Sequence, residues 1–380
     1  MSPELAARAR FEVPEDIVYL RGHAVGCLPR GAREAARRFF DQWATRGAGS
    51  WEDWLATISG FLGALARVLN VRPEELSPQV NLSSALTKLV GSLPRRAGRR
   101  RILYGDRDFP TIRFVCQKAT ALGYEPSCVH VEDGASTLAA WDRQLTADVA
   151  LAHVTHVSSD DGRRVEVPEI LRLCRERDVL AVVDVAQSAG VMPIDLRGWG
   201  ATFATGGCVK WLCGGPGASF LWVRRDVVPE LRPIDVGWFS HARPFELESD
   251  AFEYAPDSLR FWGGTPSVLP FAIATVGLEV IEALGPERIR AHSLAATRRL
   301  RESAVAAGLT VRTPEADEER GGTLAVGFGN DEDAVRELGA RGVQVDRRAR
   351  GVRFSPHVYN TMAEIDAVCA LLGDVARKSA

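Results

Sequence analysis

The chain has 380 residues, 46% hydrophobic and 25% charged, with a formal net charge of −2. This is the balance of an ordinary globular protein, and it gives no general pull toward nucleic acid or an anionic membrane. No apolar run is long enough to span a bilayer, and the charged stretch Met1 to Glu15 lacks the apolar centre of a secretion signal, so a cytoplasmic location is expected.

In chain order, a helix-like N-terminal segment, 1–30, comes first. Strands are expected at Gln79–Leu82, Arg101–Tyr104, Ser127–Val131, Val149–Val154, Leu180–Val185, Ala201–Thr205 and Ser219–Val223. These runs are rich in Val, Ile, Leu and Phe and are mostly apolar on both faces, as in a parallel sheet buried between helices. Helical periodicity marks Thr111–Leu122, Thr137–Gln144 and Val167–Arg177 between them. The alternation predicts a large α/β domain over 31–265. Beyond it, helices at Ser267–Leu284, Pro286–Ala307, Asp331–Arg341 and Ala363–Arg377 alternate with short strands at Thr310–Arg312, Thr323–Phe328, Val343–Asp346 and Gly351–Ser355. That pattern predicts a smaller α+β domain over 266–380.

Seven cysteines are scattered without a C-x-x-C pair, so free thiols are expected and a metal site is not. Lysine is scarce: Lys88, Lys118, Lys210 and Lys378 are the whole set, and arginine supplies the other positive charges. A guanidinium stays protonated, whereas a buried amine can lose its proton and attack a carbonyl. Lys210 sits in the apolar, Gly-rich run Gly206–Gly217, where a flat ligand can approach closely. A solvated lysine on a turn is the plainer alternative. Asp184 closes the run Val179–Asp184, and ligands of open α/β sheets bind at the carboxyl ends of strands. A buried carboxylate there needs a cation such as a pyridinium nitrogen, or else caps the next helix.

Asp184, Gln187 three residues later and Lys210 26 residues on, followed by a Gly-rich turn and a strand, resemble the class V aminotransferase family. That family includes kynureninase, cysteine desulfurases and isopenicillin-N-epimerase-like enzymes. The resemblance implies fold type I and pyridoxal 5′-phosphate carried by Lys210 as a Schiff base, with Lys210 and Asp184 as the catalytic pair. It places Gln187 on the cofactor's phenolic oxygen, and Phe109 of Asp108-Phe109-Pro110-Thr111 on its ring. Thr155-His156-Val157-Ser158-Ser159 with Gly162 resembles a family turn in which Ser159 stands in an Asn place. Ser83 and Ser84, ahead of a helix over Ala85–Ser92, are candidates for the phosphate or for a plain helix cap. Gly264 and Thr265 resemble an element that reaches the phosphate of a neighbouring subunit, which implies a homodimer. His23, in Tyr19–Gly26, and Trp238 and His241, in Gly237–His241, are similar to substrate-side elements. Arg353, in Arg353–Thr361, matches the residue that pairs with the α-carboxylate of an amino-acid substrate. The similarity runs from residue 19 to 376.

Three departures bear on the reaction. Val209 stands where His or Tyr usually precedes the lysine, and Gly207 where a phosphate-binding Ser is common. Ile112 replaces the kynureninase Asp after its F-P-[ST], and Gln187 replaces its His, which argues against kynurenine hydrolysis. No cysteine lies between Gly339 and Arg353, which argues against persulfide transfer. The expected function is β-elimination (C–S type) from a substituted cysteine. Transamination, decarboxylating deamination, kynureninase-type hydrolysis and a non-catalytic binding protein of the same fold are the alternatives.

Overall fold

The apolar runs of the first 230 residues assemble into one seven-stranded sheet, in a computed structural model that describes residues 3–132, 136–248 and 251–379. Its strands in chain order are β1 Leu76–Gln79, β2 Arg101–Gly105, β3 Glu125–Val129, β4 Val149–Thr155, β5 Leu180–Asp184, β6 Phe203–Gly207 and β7 Ser219–Val223. The spatial order is β1-β7-β6-β5-β4-β2-β3. Neighbours from β6 across to β3 run parallel, and β7 is antiparallel to both β6 and β1. The expected mainly parallel sheet between helices is therefore present.

Alternate side chains of each strand enter different cores. Ala181 and Val183 of β5 pack in one core with Phe61, Trp141, Ile170 and Phe271, while Val182 packs in the other with Leu86, Leu89 and Ile112. Phe220 and Trp222 of β7 follow the first set, and Leu221 and Val223 the second. Burying each such side chain stabilises the fold by about 1.5–3 kcal/mol. The second core is the one beneath the helices Leu82–Ser92 and Pro110–Lys118, and Asp184 points toward that side.

The first strand differs from expectation. It is Leu76–Gln79, and by Leu82 the chain is already helical. The cause is Asn81, whose side-chain oxygen accepts the Ser84 N–H at 2.8 Å and starts the helix early. β3 and β6 are each displaced by two residues from the predicted runs. The predicted strand Val343–Asp346 splits in two. Val343–Gln344 pairs in parallel with Val18–Tyr19, and Asp346–Arg348 turns back on Gly351–Phe354.

The C-terminal unit is a four-stranded antiparallel sheet of Thr310–Val311, Leu324–Gly327, Gly351–Phe354 and Asp346–Arg348, in that spatial order. Helices Pro286–Ala306, Asp331–Ala340 and Met362–Lys378 close its core through Leu300, Leu338 and Ile365. The helix Leu269–Leu284, grouped with this unit by sequence pattern, packs instead on the large core. Its Phe271 ring lies 4.7 Å from that of Phe61. The N-terminal segment pairs with itself, Phe11–Glu12 on Leu28–Pro29, and touches both units: Val18–Tyr19 joins Val343–Gln344, and Gly26 N–H donates to the Val209 carbonyl at 2.9 Å. Among the described residues, no single helix is long and apolar enough to cross a membrane, and no cluster of three or more metal-capable side chains occurs.

Candidate active site

Lys210 follows β6 in a turn that is held from several sides. Gly26 lies so close that a Cβ there would sit 2.3 Å from the Lys210 carbonyl oxygen. Gly190 has φ +99°, and a Cβ on it would stand 2.5 Å from the Trp211 carbonyl, so glycine is required on both counts. His357 Nε2 donates to the Trp211 carbonyl at 2.7 Å, and Trp211 Nε1 donates to Gln187 Oε1 at 3.0 Å. The turn that carries the lysine therefore has little freedom to move.

Asp184 ends β5 on the adjacent strand. Its Oδ1 accepts the Ala186 N–H at 2.8 Å, so it does cap the following turn. Asp184 and Lys210 line one cavity of about 320 Å³. Burial pushes the Asp184 carboxyl up, opposed by His153 and by Lys210. Burial pushes the Lys210 amine down, opposed mainly by Asp184, with Arg348 and Arg353 adding to the fall. Burial thus works against the charge on each group, and each is in turn favoured by the other.

The same cavity is lined by Asn81, Ser83, Phe109 and Ser219. Lys210 Nζ lies 5.7 Å from the centre of the Phe109 ring, which is 40% exposed. Ser83 faces the cavity, and its hydroxyl donates to Asn81 Oδ1 at 2.7 Å. Ser84 does not line it; its N–H is taken by Asn81, the actual cap. Ser219, missed in the sequence, stands directly across the β6–β7 ladder from Gly207 and offers a hydroxyl where Gly207 has none. An amine, a carboxylate, an exposed aromatic face, hydroxyls and the start of an 11-residue helix suit an aromatic aldehyde that carries a phosphate.

Arg353 lies on the C-terminal hairpin. Its Nε and Nη2 donate to Oδ1 and Oδ2 of Asp346, each at 2.8 Å, and Nη1 donates to the Ser159 carbonyl at 2.6 Å. A guanidinium has five N–H bonds, so one hydrogen on each terminal nitrogen is left. Ser159 is thus a support for Arg353. His23 bridges Ser355 Oγ (2.7 Å) and Asp346 Oδ2 (3.1 Å), and so orients Asp346 with both ring nitrogens occupied. Burial opposes the Asp346 charge, but His23 and Arg353 outweigh it and hold the carboxyl well below the usual range. Nothing in the local sequence marks Asp346. It becomes Arg353's partner only because the hairpin sets the two in register.

Other expected residues stand apart from this cavity. Gln187 is committed on both ends of its amide, to Trp211 and to the His23 carbonyl at 3.2 Å. His241 is enclosed in its own loop, its ring accepting the Arg243 N–H at 3.0 Å and meeting Phe252. Trp238 donates to Thr265 Oγ1 at 3.3 Å and meets Trp51 edge to face, and Thr265 and Trp51 line a separate aromatic surface.

Comparison with known proteins agrees with this geometry. The family model described as aminotransferase class-V matches residues 83–368. The kynureninase of Deinococcus radiodurans is 32% identical over 90% of this chain and 85% of its own length. An uncharacterized aminotransferase of Bacillus subtilis is 26% identical over 94% of each chain. A cysteine desulfurase from Thermococcus onnurineus superposes with a TM-score of 0.87 at 19% identity, covering 100% of this chain and 99% of its own. A cystine C–S lyase solved with cysteine persulfide gives 0.87 at 21% identity, over 94% and 97%. The fold is that of the fold-type I pyridoxal-phosphate enzymes. By the match over residues 83–368, the chain belongs to the class V aminotransferase family, and it is a pyridoxal-phosphate-dependent enzyme.

Proposed function

We propose that this enzyme eliminates the sulfur substituent from an S-substituted cysteine, releasing a thiol, pyruvate and ammonium. The observation that carries the reading is the state of the thiols. Burial pushes Cys27 and Cys128 up to about 11 and Cys116, Cys174 and Cys208 to about 12, and raises Cys213 and Cys369 as well. A persulfide acceptor must be a thiolate in an exposed, electropositive place. No cysteine is among the residues that line the cavity of Lys210 and Asp184, so in this reading sulfur leaves to solvent rather than to the protein.

Bound pyridoxal phosphate supplies an electron-accepting ring for negative charge at the substrate Cα. In this reading Lys210 holds the cofactor and then, as a neutral amine, takes the Cα proton. Asp184 holds a proton on the pyridine nitrogen. The two free hydrogens of Arg353 bind the α-carboxylate, with Asp346 and Ser159 fixing its plane. Ser83, Ser219 and the N–H groups of Leu82 and Ser83 at the start of the helix Leu82–Ser92 would hold the phosphate, and Phe109 would lie against the ring. The Cβ–S bond breaks with its electron pair on sulfur, which takes up a proton. The resulting 2-aminoacrylate reacts with water to give pyruvate and ammonium.

Gly264 and Thr265 serve the phosphate of a second subunit in this reading. The nearby Ile234, Phe245, Leu247 and Phe252 are all exposed apolar side chains suited to burial in a homodimer. A second reaction, hydrolysis of the kind named for the D. radiodurans relative, is favoured by sequence similarity alone. Ile112, fully buried at the cavity wall, and Val209 put apolar groups where that chemistry needs polar ones.

The test is incubation of the holoenzyme with S-alkyl cysteines and, separately, kynurenine. Pyruvate and thiol in equal amounts support elimination. Anthranilate from kynurenine, or a stable amine form of the cofactor with amino donors, would replace it with hydrolysis or transamination.

A further inference from the structure

Beside the cofactor cavity, with Phe109 in the lining of the one and its neighbours Asp108 and Pro110 in the lining of the other, lies a second cleft of about 510 Å³. Its walls carry several charges, and most are already matched. Asp108 Oδ2 is held by His153 Nδ1 at 3.0 Å and by the Gly105 N–H at 2.9 Å. Asp106 faces His130 and accepts the Val131 N–H, Arg107 pairs with Asp161 at 3.0 Å, and Asp160 lies 3.9 Å from Arg350. Two guanidiniums are left without a carboxylate among the described residues: Arg113, on the helix Pro110–Lys118, and Arg348.

Arg348 occupies a telling position. Its guanidinium carbon lies 4.8 Å from the centre of the Phe109 ring, the ring that also meets Lys210 Nζ. Its Nη1 donates to Ser159 Oγ at 3.3 Å, while the carbonyl of the same Ser159 holds Arg353. Asp346 and Arg348 project from one face of their strand, because alternate residues share a face, and Arg353 stands opposite Asp346 in the hairpin. Two guanidiniums therefore flank Ser159. One is neutralised by Asp346 and keeps two hydrogens for an α-carboxylate, and the other has its charge uncompensated. A half-buried cation without a partner is costly, and an anionic ligand relieves that cost.

We propose that this cleft takes a negatively charged side-chain terminus of the substrate, a carboxylate or sulfonate, with Arg348 as the specificity-determining residue and Arg113 assisting at the mouth. The inference rests on the elimination reading for its substrate backbone, but the charge preference can be tested apart from it. S-Carboxymethylcysteine and S-carbamoylmethylcysteine have the same shape and differ by one charge. With the holoenzyme, kcat/KM for the acid should exceed that for the amide by about 10- to 100-fold, the worth of a charge-assisted hydrogen bond. In Arg348→Gln the ratio should fall toward one, and Arg348→Lys should restore part of it. Calorimetric titration with glutarate against butyrate supplies a readout independent of turnover, with glutarate favoured in the parent and the preference lost in Arg348→Gln.

A ratio near one in the parent, or a preference that survives Arg348→Gln, overturns the proposal while leaving elimination intact. If neither cysteine derivative reacts but glutarate binds through Arg348, the elimination reading fails and the anion site stands.

Discussion

Asp346 and Arg353 form a two-pronged ion pair, with both N···O distances at 2.8 Å, on facing strands of one hairpin. The carboxylate also receives His23 and, at 3.3 Å, Arg21. Removing it leaves Arg353 buried without a counter-charge. Asp346→Ala should weaken amino-acid binding by about tenfold or more and destabilise the fold by about 1–3 kcal/mol. Ligand titration and denaturant unfolding check the two effects. The Asp346 carboxyl titrates lower in the folded than in the unfolded chain. Its contribution is therefore complete above the ordinary carboxylate range and is lost as pH falls toward the folded value. Asp346→Asn should flatten that acidic loss.

Lys210→Ala and Lys210→Arg should both fail to attach pyridoxal phosphate covalently, since a guanidinium stays protonated. Borohydride reduction followed by mass spectrometry should label the parent at Lys210 and leave both variants unlabelled. Turnover should fall by about 10²- to 10⁴-fold or more. Labelling at Lys88 or Lys118 in the parent would contradict the assignment.

Two buried histidines predict an acid-sensitive fold. Burial pushes His156 down to about 3 and His357 to about 4. Between those values and the ordinary one of about 6.5, the unfolded chain binds protons that the folded chain refuses. Stability therefore falls as pH drops below about 6.5, by up to about 1.4 kcal/mol per pH unit for each histidine. Neither His156 nitrogen has a hydrogen-bond partner among the described residues, and its ring meets Trp199 edge-on at 4.8 Å. His156→Phe should keep the neutral-pH melting temperature close to that of the parent and reduce its decline between pH 6.5 and 5.

Glycine at position 26 sets the height of the Lys210 turn. Gly26→Ala drives a methyl group into the Lys210 carbonyl oxygen and to 2.6 Å from Cys213 Sγ. It should destabilise by about 1–3 kcal/mol and weaken cofactor binding. Gly60→Ala, inside the helix Trp51–Leu69 with nothing within 4 Å of the added Cβ, should instead stabilise by about 0.5–1 kcal/mol. Thermal melts with and without pyridoxal phosphate separate the two.

Much of the site was legible because its chemistry is local. The run Val179–Asp184 is a buried strand ending in a carboxylate, and Gly-rich flanks mark Lys210 as a lysine on a tight turn. Those features survive in one dimension because strand burial and turn geometry depend on near neighbours. The Asn81 cap was also written in the local sequence, yet the apolar Val80 and Leu82 suggested a longer strand. Other roles had no local signature. Ser219 faces Gly207 only through antiparallel pairing, and His23 reaches Asp346 only after the N-terminal segment has crossed to the small sheet.

By itself, the sequence determined the layered α/β fold, with Asp184 at a strand end and Lys210 on a Gly-rich turn, since burial period and backbone chemistry are encoded residue by residue; the cofactor was legible only through resemblance to a family. Tertiary structure alone decided which charges are neutralised. Electrostatic pairing acts across space at a few ångströms, so whether Arg353 is held, Arg348 left open or a thiol kept protonated depends on which distant segments the packing brings together.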